Sequence, residues 1–192
     1  MDRRLLFASV GGLAFGAVNK LLASPHQPLS PHPYFPDTLL YDQEGKPQRL
    51  YSDLLQNKVV VINMMYAVCT RICPDNTARL REVQAALGER SGRDVFIYSI
   101  TLRPEADSPT VLAAYAKQFG VDRGWSFLTG SPHDIDLIRR KFGFYDTDRV
   151  ADADIQNHTG VLRIGNVTLD RWMMMPNRSR AALVVRAIDN IC

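Results

Sequence analysis

Two cysteines placed four residues apart are the residues in this chain that are best suited to chemistry. Cys69 and Cys73 lie in the stretch MMYAVCTRICPDNTARL, where an apolar run leads into a proline and a helical pattern. Pro74 suits the first turn of a helix, because its missing N–H would be unpaired there in any case. Cys73 is therefore predicted at a helix start, where the helix dipole stabilises negative charge. We expect such a thiol to ionise easily, and a thiolate is both a nucleophile and a metal ligand.

The pair could serve as a structural staple, as a redox couple or as part of a metal site. A disulfide between residues 69 and 73 would close a loop of only five residues. The chain-entropy argument gives such a loop roughly 2 kcal/mol, against about 4.7 kcal/mol for a 100-residue loop. Stability alone is therefore a poor reason for this placement, and redox exchange and metal binding both remain open. A third ligand would favour metal binding, because two thiolates and one imidazole suit a soft ion such as Cu(I).

The elements that must position the cysteines alternate between strands and helices. β-Branched residues at 58–66 and an apolar run at 94–102 predict two buried central strands. Helices are predicted from Pro74 to Leu87 and at 108–119, 131–142 and 178–191, with a short strand at 125–130 and a tight hairpin around Gly165-Asn166. An N-terminal β-hairpin with its turn at 43–46 precedes them. This order predicts an α/β, thioredoxin-like fold, in which helices flank a central mixed sheet and the N-terminal hairpin is an addition.

One of the four histidines is the candidate third ligand. His26 and His32 lie in a proline-rich stretch and His133 lies at a predicted helix start, so all three are expected to be solvated. His158 directly precedes the strand-like run GVLRI. In a thioredoxin-like fold, the loop that enters this strand lies beside the start of the cysteine-bearing helix. His158 is therefore predicted to come close to the two cysteines.

The composition is that of an ordinary globular domain, with the positive charge concentrated at the N-terminus. The chain has 192 residues, of which 46% are hydrophobic and 22% charged, and its net charge is +3. Residues 1–24 hold three basic residues and one acidic residue, so they account for +2 of that charge and leave +1 for the rest. No basic block remains to support nucleic-acid binding.

The N-terminus has the pattern of an export signal. Arg3-Arg4 precede an uncharged run from Leu5 to Val18, which is shorter than the about 20 apolar residues that a spanning helix needs. The arginine pair resembles a twin-arginine signal. We therefore predict a periplasmic or other extracytoplasmic protein, or alternatively one anchored to the inner membrane. Its predicted parts are an export signal or anchor at 1–24, a proline-rich linker at 25–37 and the thioredoxin-like domain at 38–192.

The sequence resembles the Sco/SenC family of copper-binding, thioredoxin-like proteins over about residues 38–190. The family motif N-F-G-Y-T-x-C-P-x-x-C-P is similar to NMMYAVCTRICP at 63–74. The family's helix entry D-P-x-x-D-T-P is similar to RPEADSP at 103–109, and Tyr115, Phe119, Trp125 and the LTG of 128–130 follow as in the family. The family histidine corresponds to His158.

The resemblance implies that Cys69, Cys73 and His158 bind a copper ion, Cu(I) or Cu(II). It further implies a metallochaperone that takes copper from other copper chaperones and helps to assemble a copper site, such as that of cytochrome c oxidase subunit II. The alternative is a thiol–disulfide oxidoreductase that uses the same cysteine pair to reduce cysteines of a partner protein. Whether the chain is an enzyme therefore stays open.

Several positions depart from the family pattern. Met64 and Met65 replace Phe and Gly, and Arg103 replaces an aspartate, which reverses the local charge. The three methionines at 173–175 are interpreted as the hydrophobic end of a strand, with thioether ligation of Cu(I) as the alternative. Cys192 is not assigned to the site.

Overall fold

A seven-stranded mixed β-sheet forms the centre of the fold. The computed structural model describes residues 32–69, 72–158 and 160–192. The strands are β1 (Leu39–Asp42), β2 (Pro47–Arg49), β3 (Val59–Met65), β4 (Val95–Thr101), β5 (Trp125–Gly130), β6 (Val161–Asn166) and β7 (Arg171–Pro176). Their spatial order is β2-β1-β5-β4-β3-β6-β7. Strands β3, β4 and β5 are parallel, whereas every other pairing is antiparallel.

Helices cover both faces of this sheet. They are α1 (Cys73–Leu87), α2 (Pro109–Gln118), α3 (Pro132–Lys141), α4 (Arg149–Ala153) and α5 (Ala181–Ile191), with a π-helical turn at Leu50–Leu55 and 3-10 turns at Gly88–Arg90 and Ile155–His158. Helices α1, α2 and α5 pack on one face, and α3 packs with the π-helical turn on the other. This arrangement confirms the predicted α/β, thioredoxin-like fold with an added N-terminal hairpin, since β1 and β2 extend the sheet beside β5.

Local signals placed most helix starts correctly. Ser108 and Ser131 each precede a proline in the first helical turn, and their hydroxyls accept hydrogen bonds from the backbone N–H groups of Val111 and Asp134. These bonds satisfy amide groups that would otherwise have no partner inside the helix. Strand β3 and helix α1 likewise lie where the apolar run and Pro74 predict them.

The hairpin turn occupies residues 167–170, directly after the predicted Gly165-Asn166. Strand β6 continues through Gly165 and Asn166, and β7 resumes at Arg171. A Cβ atom at residue 165 would lie 2.1 Å from the ring of Trp172, so the glycine is required for the close approach of this indole and not for a turn. The side chain of Asn166 donates a hydrogen bond to the carbonyl oxygen of Ile191 at 3.0 Å.

The described part of the proline-rich segment packs against the domain. Phe35 is buried and its ring stacks on Phe142 at 5.0 Å, and the Tyr34 hydroxyl donates to the carbonyl oxygen of Lys141 at 2.7 Å. Phe35, within the segment predicted as a proline-rich linker, is therefore part of the packed domain, because its ring extends the core beneath α3. The predicted export signal or anchor lies outside the described residues. No helix in the described ranges is long and apolar enough to span a bilayer.

Candidate copper and redox site

The two cysteines come together where β3 gives way to α1. Cys73 is the first residue of α1, and Cys69 lies in the preceding loop, as predicted. The backbone N–H of Cys73 points at the Cys69 Sγ atom, with 3.4 Å between nitrogen and sulfur. Only 8% of Cys69 and 1% of Cys73 are exposed, and no disulfide joins them. The helix start therefore forms a pocket of two buried thiols.

Burial determines the acidity of the inner thiol. Desolvation raises the pKa of Cys73 to about 12, and the hydrogen bond with the Cys69 side chain and the nearby charge of Asp107 act in the same direction. The expectation of an easily ionised thiol is therefore wrong for Cys73. The helix dipole does favour a thiolate, but this helix starts inside the apolar core, where the charged form loses its hydration.

Tyr66 covers the outer thiol. It is buried, and its hydroxyl shares a hydrogen bond with the side chain of Cys69. Burial, followed by this hydrogen bond, raises the pKa of Tyr66 to about 12. The phenol therefore stays protonated at neutral pH and can donate a hydrogen bond to the sulfur.

Asp107 is a buried acid of the site that sequence reasoning did not single out. Its side chain is fully buried, and its Oδ2 atom accepts hydrogen bonds from the backbone nitrogen of Ala67 at 3.1 Å and from the Thr101 hydroxyl at 2.5 Å. Its Oδ1 atom has no hydrogen-bond partner among the described residues. The carboxylate thus ties the start of the cysteine loop to the end of β4. The sequence feature that could have identified Asp107 is its place in the RPEADSP stretch, which we interpreted only as a helix entry.

His158 is buried but faces a different group of residues. It lies in a 3-10 turn that follows α4, where a loop was predicted, and it is only 4% exposed. Its Nε2 atom is 2.9 Å from the carbonyl oxygen of Asp152 and 3.2 Å from the Arg139 Nη1 atom. The two contacts require opposite tautomers, because the carbonyl oxygen can only accept and the guanidinium can only donate, so one of them at a time is a hydrogen bond to Nε2.

A buried ion pair holds the segment that carries His158. Arg139 on α3 contacts both carboxylate oxygens of Asp152, at 2.6 Å and 3.0 Å, and it also donates to Asp136 and to the carbonyl oxygen of Phe144. The side chains of Arg139 and Asp152 are 9% and 11% exposed. The hydrogen bonds from Arg139 hold the pKa of the Asp152 carboxyl well below its usual range.

The structure thus brings two of the three predicted ligands together. Within the described ranges, no group of three or more His, Cys, Asp and Glu side chains converges closely enough to hold a metal ion. The segment before His158 nevertheless borders the thiols, because Ile155 packs against the core cluster that contains them and the charge of Asp154 contributes to the raised pKa of Tyr66. The role of His158 as a ligand stays a prediction.

The remaining candidates lie apart from this centre. His133 is exposed, as predicted, and Arg103 is half-exposed and pairs with Glu105 at 3.5 Å. Met173 and Met175 pack against the core cluster that contains the thiols, as expected for a hydrophobic strand, whereas Met174 is exposed. Cys192 is exposed.

Comparisons with known proteins agree on one family. Residues 33–191 match the family model SCO1/SenC. The SCO2-like protein RP587 of Rickettsia prowazekii is 29% identical over 119 residues, which cover 62% of this chain and 56% of that protein. The chain spans about half the length, or less, of the curated relatives it matches.

Solved structures share the fold at low identity. Copper-bound yeast Sco1 superposes with a TM-score of 0.62 at 23% identity, over 79% of this chain and 87% of that one. BsSco, described as a member of the Sco family of cytochrome c oxidase assembly proteins with a disulfide switch, gives a TM-score of 0.64 at 23% identity, over 80% and 90% of the two chains.

Proposed function

Because the chain belongs to the SCO1/SenC family, we propose that it is a metallochaperone that carries copper as its cargo on Cys69, Cys73 and His158. The observation that carries the proposal is the thiol pair itself, in which the Cys73 N–H points at the Cys69 sulfur across 3.4 Å. One sulfur donor therefore lies at the first residue of α1 and the other beside it, in the loop before the helix.

The donor set fits Cu(I) better than a hard cation. Thiolate sulfur is a soft donor, and imidazole suits copper as a third ligand. The pocket is apolar and nearly closed to water, which favours a soft ion of low charge over one that needs a hydration shell. Each thiol must lose its proton when the metal binds, so the raised pKa of Cys73 makes protons a competitor of copper.

The proposed transfer of copper takes place outside the cytoplasm. The arginine pair and apolar run at the N-terminus support an extracytoplasmic location, either after cleavage of this segment or with it kept as an anchor. There the protein would take copper from another chaperone and pass it to a recipient such as cytochrome c oxidase subunit II. A similar role in oxidase assembly is stated for BsSco.

A thiol–disulfide oxidoreductase is the second candidate function, and the unequal burial of the two sulfurs favours it. Cys69 is the more exposed thiol and would attack a partner's disulfide, forming a mixed disulfide. Cys73 would then attack the Cys69 sulfur and displace the partner sulfur that is bound to it. The partner leaves as a dithiol, and the disulfide between residues 69 and 73 forms. The disulfide switch described for BsSco is chemistry of this type.

Anaerobic titration of the fully reduced protein with Cu(I), in competition with a Cu(I) chelator, tests the proposal. We expect one tightly bound copper per chain, and loss of tight binding in Cys69→Ala and Cys73→Ala. Cys192→Ala is the matched control and should bind as the unaltered protein does, because Cys192 is exposed, whereas Cys69 and Cys73 are buried. Tight binding that persists in Cys73→Ala would refute the site.

A further inference from the structure

His158 and the two cysteines contact different residues, although they are the three predicted ligands of one ion. The imidazole lies against Arg139 and Asp152, and Arg139 belongs to α3, on the opposite face of the sheet from α1. The beginning of the 3-10 turn, at Ile155, packs with the core cluster of the thiols. The segment therefore bridges the two faces, with its imidazole directed to the α3 side.

We propose that Arg139 and Asp152 are positioning residues that dock His158 on α3, and that His158 reaches the thiols only when this dock opens. The inference rests on the proposed copper function. Its physical basis is competition, because within the described residues the docked imidazole does not converge with the two sulfurs, and it has to leave the dock to complete a copper site with both of them. Binding of copper by all three ligands therefore has to offset the loss of the docked contacts.

Arg139 makes most of the contacts of the dock. Arg139 makes two hydrogen bonds to the Asp152 carboxylate and contacts the imidazole edge, and the same carboxylate accepts the backbone N–H of Asp146 at 2.9 Å. Arg140, the next residue on α3, also contacts Asp152 at 3.2 Å, but it is half-exposed. Lys141 offers the matched control, because it carries the same charge on the same helix and its Nζ atom lies over the Tyr34 ring, 4.7 Å from the ring centroid.

The dock should lower the apparent copper affinity, because only the undocked fraction of molecules can use His158. A protein whose binding-competent state is partly populated binds more weakly in proportion to that population. Arg139→Gln should therefore tighten Cu(I) binding by about tenfold, whereas Lys141→Gln should change it little. The gain should vanish when His158→Ala is added to Arg139→Gln, since an effect that acts through the imidazole requires the imidazole.

Hydrogen exchange provides a second measurement that needs no variant. Addition of Cu(I) to the unaltered protein should speed amide exchange at Asp146 and in α4, because Asp152 leaves its partners, while exchange in the interior of α3 stays constant. Copper binding with unchanged exchange at Asp146 and α4 would overturn the dock and leave the copper proposal standing. A gain in Arg139→Gln that persists without His158 would also overturn it. Absence of copper binding in the unaltered protein would instead refute the proposed function, and the dock with it.

Discussion

The Asp107 Oδ2 atom accepts a hydrogen bond from the backbone nitrogen of Ala67 at 3.1 Å, across 40 residues of sequence. The same oxygen accepts the Thr101 hydroxyl at the end of β4. One buried carboxylate therefore joins the loop that carries Cys69 to the neighbouring parallel strand. It also places a negative charge near the inner thiol, where it contributes to the raised pKa of Cys73.

Asp107→Asn should lower the pKa of the Cys73 thiol, because it removes a nearby negative charge that opposes formation of the thiolate. The amide oxygen can still accept both hydrogen bonds, but the new NH₂ group faces the position where Oδ1 has no partner. We expect a loss of about 1–3 kcal/mol in unfolding free energy, because the two charge-assisted hydrogen bonds to the carboxylate become weaker neutral ones. Thiolate absorbance against pH and denaturant unfolding would measure the two effects.

Glu105→Gln is the control for this change. Glu105 lies in the same segment and loses the same charge, but its side chain is 62% exposed. It should alter neither the pKa of Cys73 nor the stability appreciably. An unchanged thiol pKa in Asp107→Asn would contradict the electrostatic role of this acid.

Copper affinity should rise steeply with pH. Because the pKa of Cys73 is about 12, this thiol keeps its proton throughout the neutral range and must release it on binding Cu(I). Each proton released adds about one unit to the slope of log affinity against pH, so we expect a slope of at least about one between roughly pH 6 and pH 9. Chelator competition at several pH values measures the slope, after correction for protonation of the chelator. A flat profile would mean that both thiolates exist before copper arrives.

Local signals in the sequence were sufficient to place the two cysteines, because Pro74 and the apolar run before it act over only a few residues. The acidity of Cys73 could not be predicted in this way, since it depends on how deeply the helix start is buried. Gly165 was misread as a turn residue because its real neighbour, Trp172, approaches across the hairpin. The dock of His158 was also missed, because the pairing of Arg139 with Asp152 depends on how α3 and α4 pack together.

The disulfide between residues 69 and 73 should be more easily reduced than a structural bridge. The disulfide closes a loop of only five residues. On the chain-entropy argument it stabilises the folded protein by only roughly 2 kcal/mol. We therefore expect a reduction potential above about −300 mV, whereas the potentials of structural disulfides in secreted proteins lie below that value. Equilibration with glutathione mixtures of graded ratio, read by alkylation of free thiols, would give the value. Cys192→Ala is the control, since it excludes mixed products at the third cysteine. A potential below about −300 mV would favour a structural staple.

Replacement of His158 separates the two candidate functions. A neutral imidazole can complete a copper site, but a thiolate needs no imidazole to attack a disulfide. His158→Ala should therefore weaken Cu(I) binding by about tenfold or more, which corresponds to about 1.4 kcal/mol for each factor of ten. Oxidation and reduction of Cys69 and Cys73 should remain largely intact.

The two measurements are chelator competition and a thiol-exchange assay on the same preparations, with His133→Ala as the exposed control. The buried imidazole also contributes packing, so unfolding of apo His158→Ala should be followed in parallel. Unchanged copper affinity in a folded His158→Ala protein would remove this residue from the site. If copper affinity held and exchange with a partner's disulfide collapsed, the oxidoreductase function would become the better account, because the imidazole would then act on the sulfur chemistry and not on the metal.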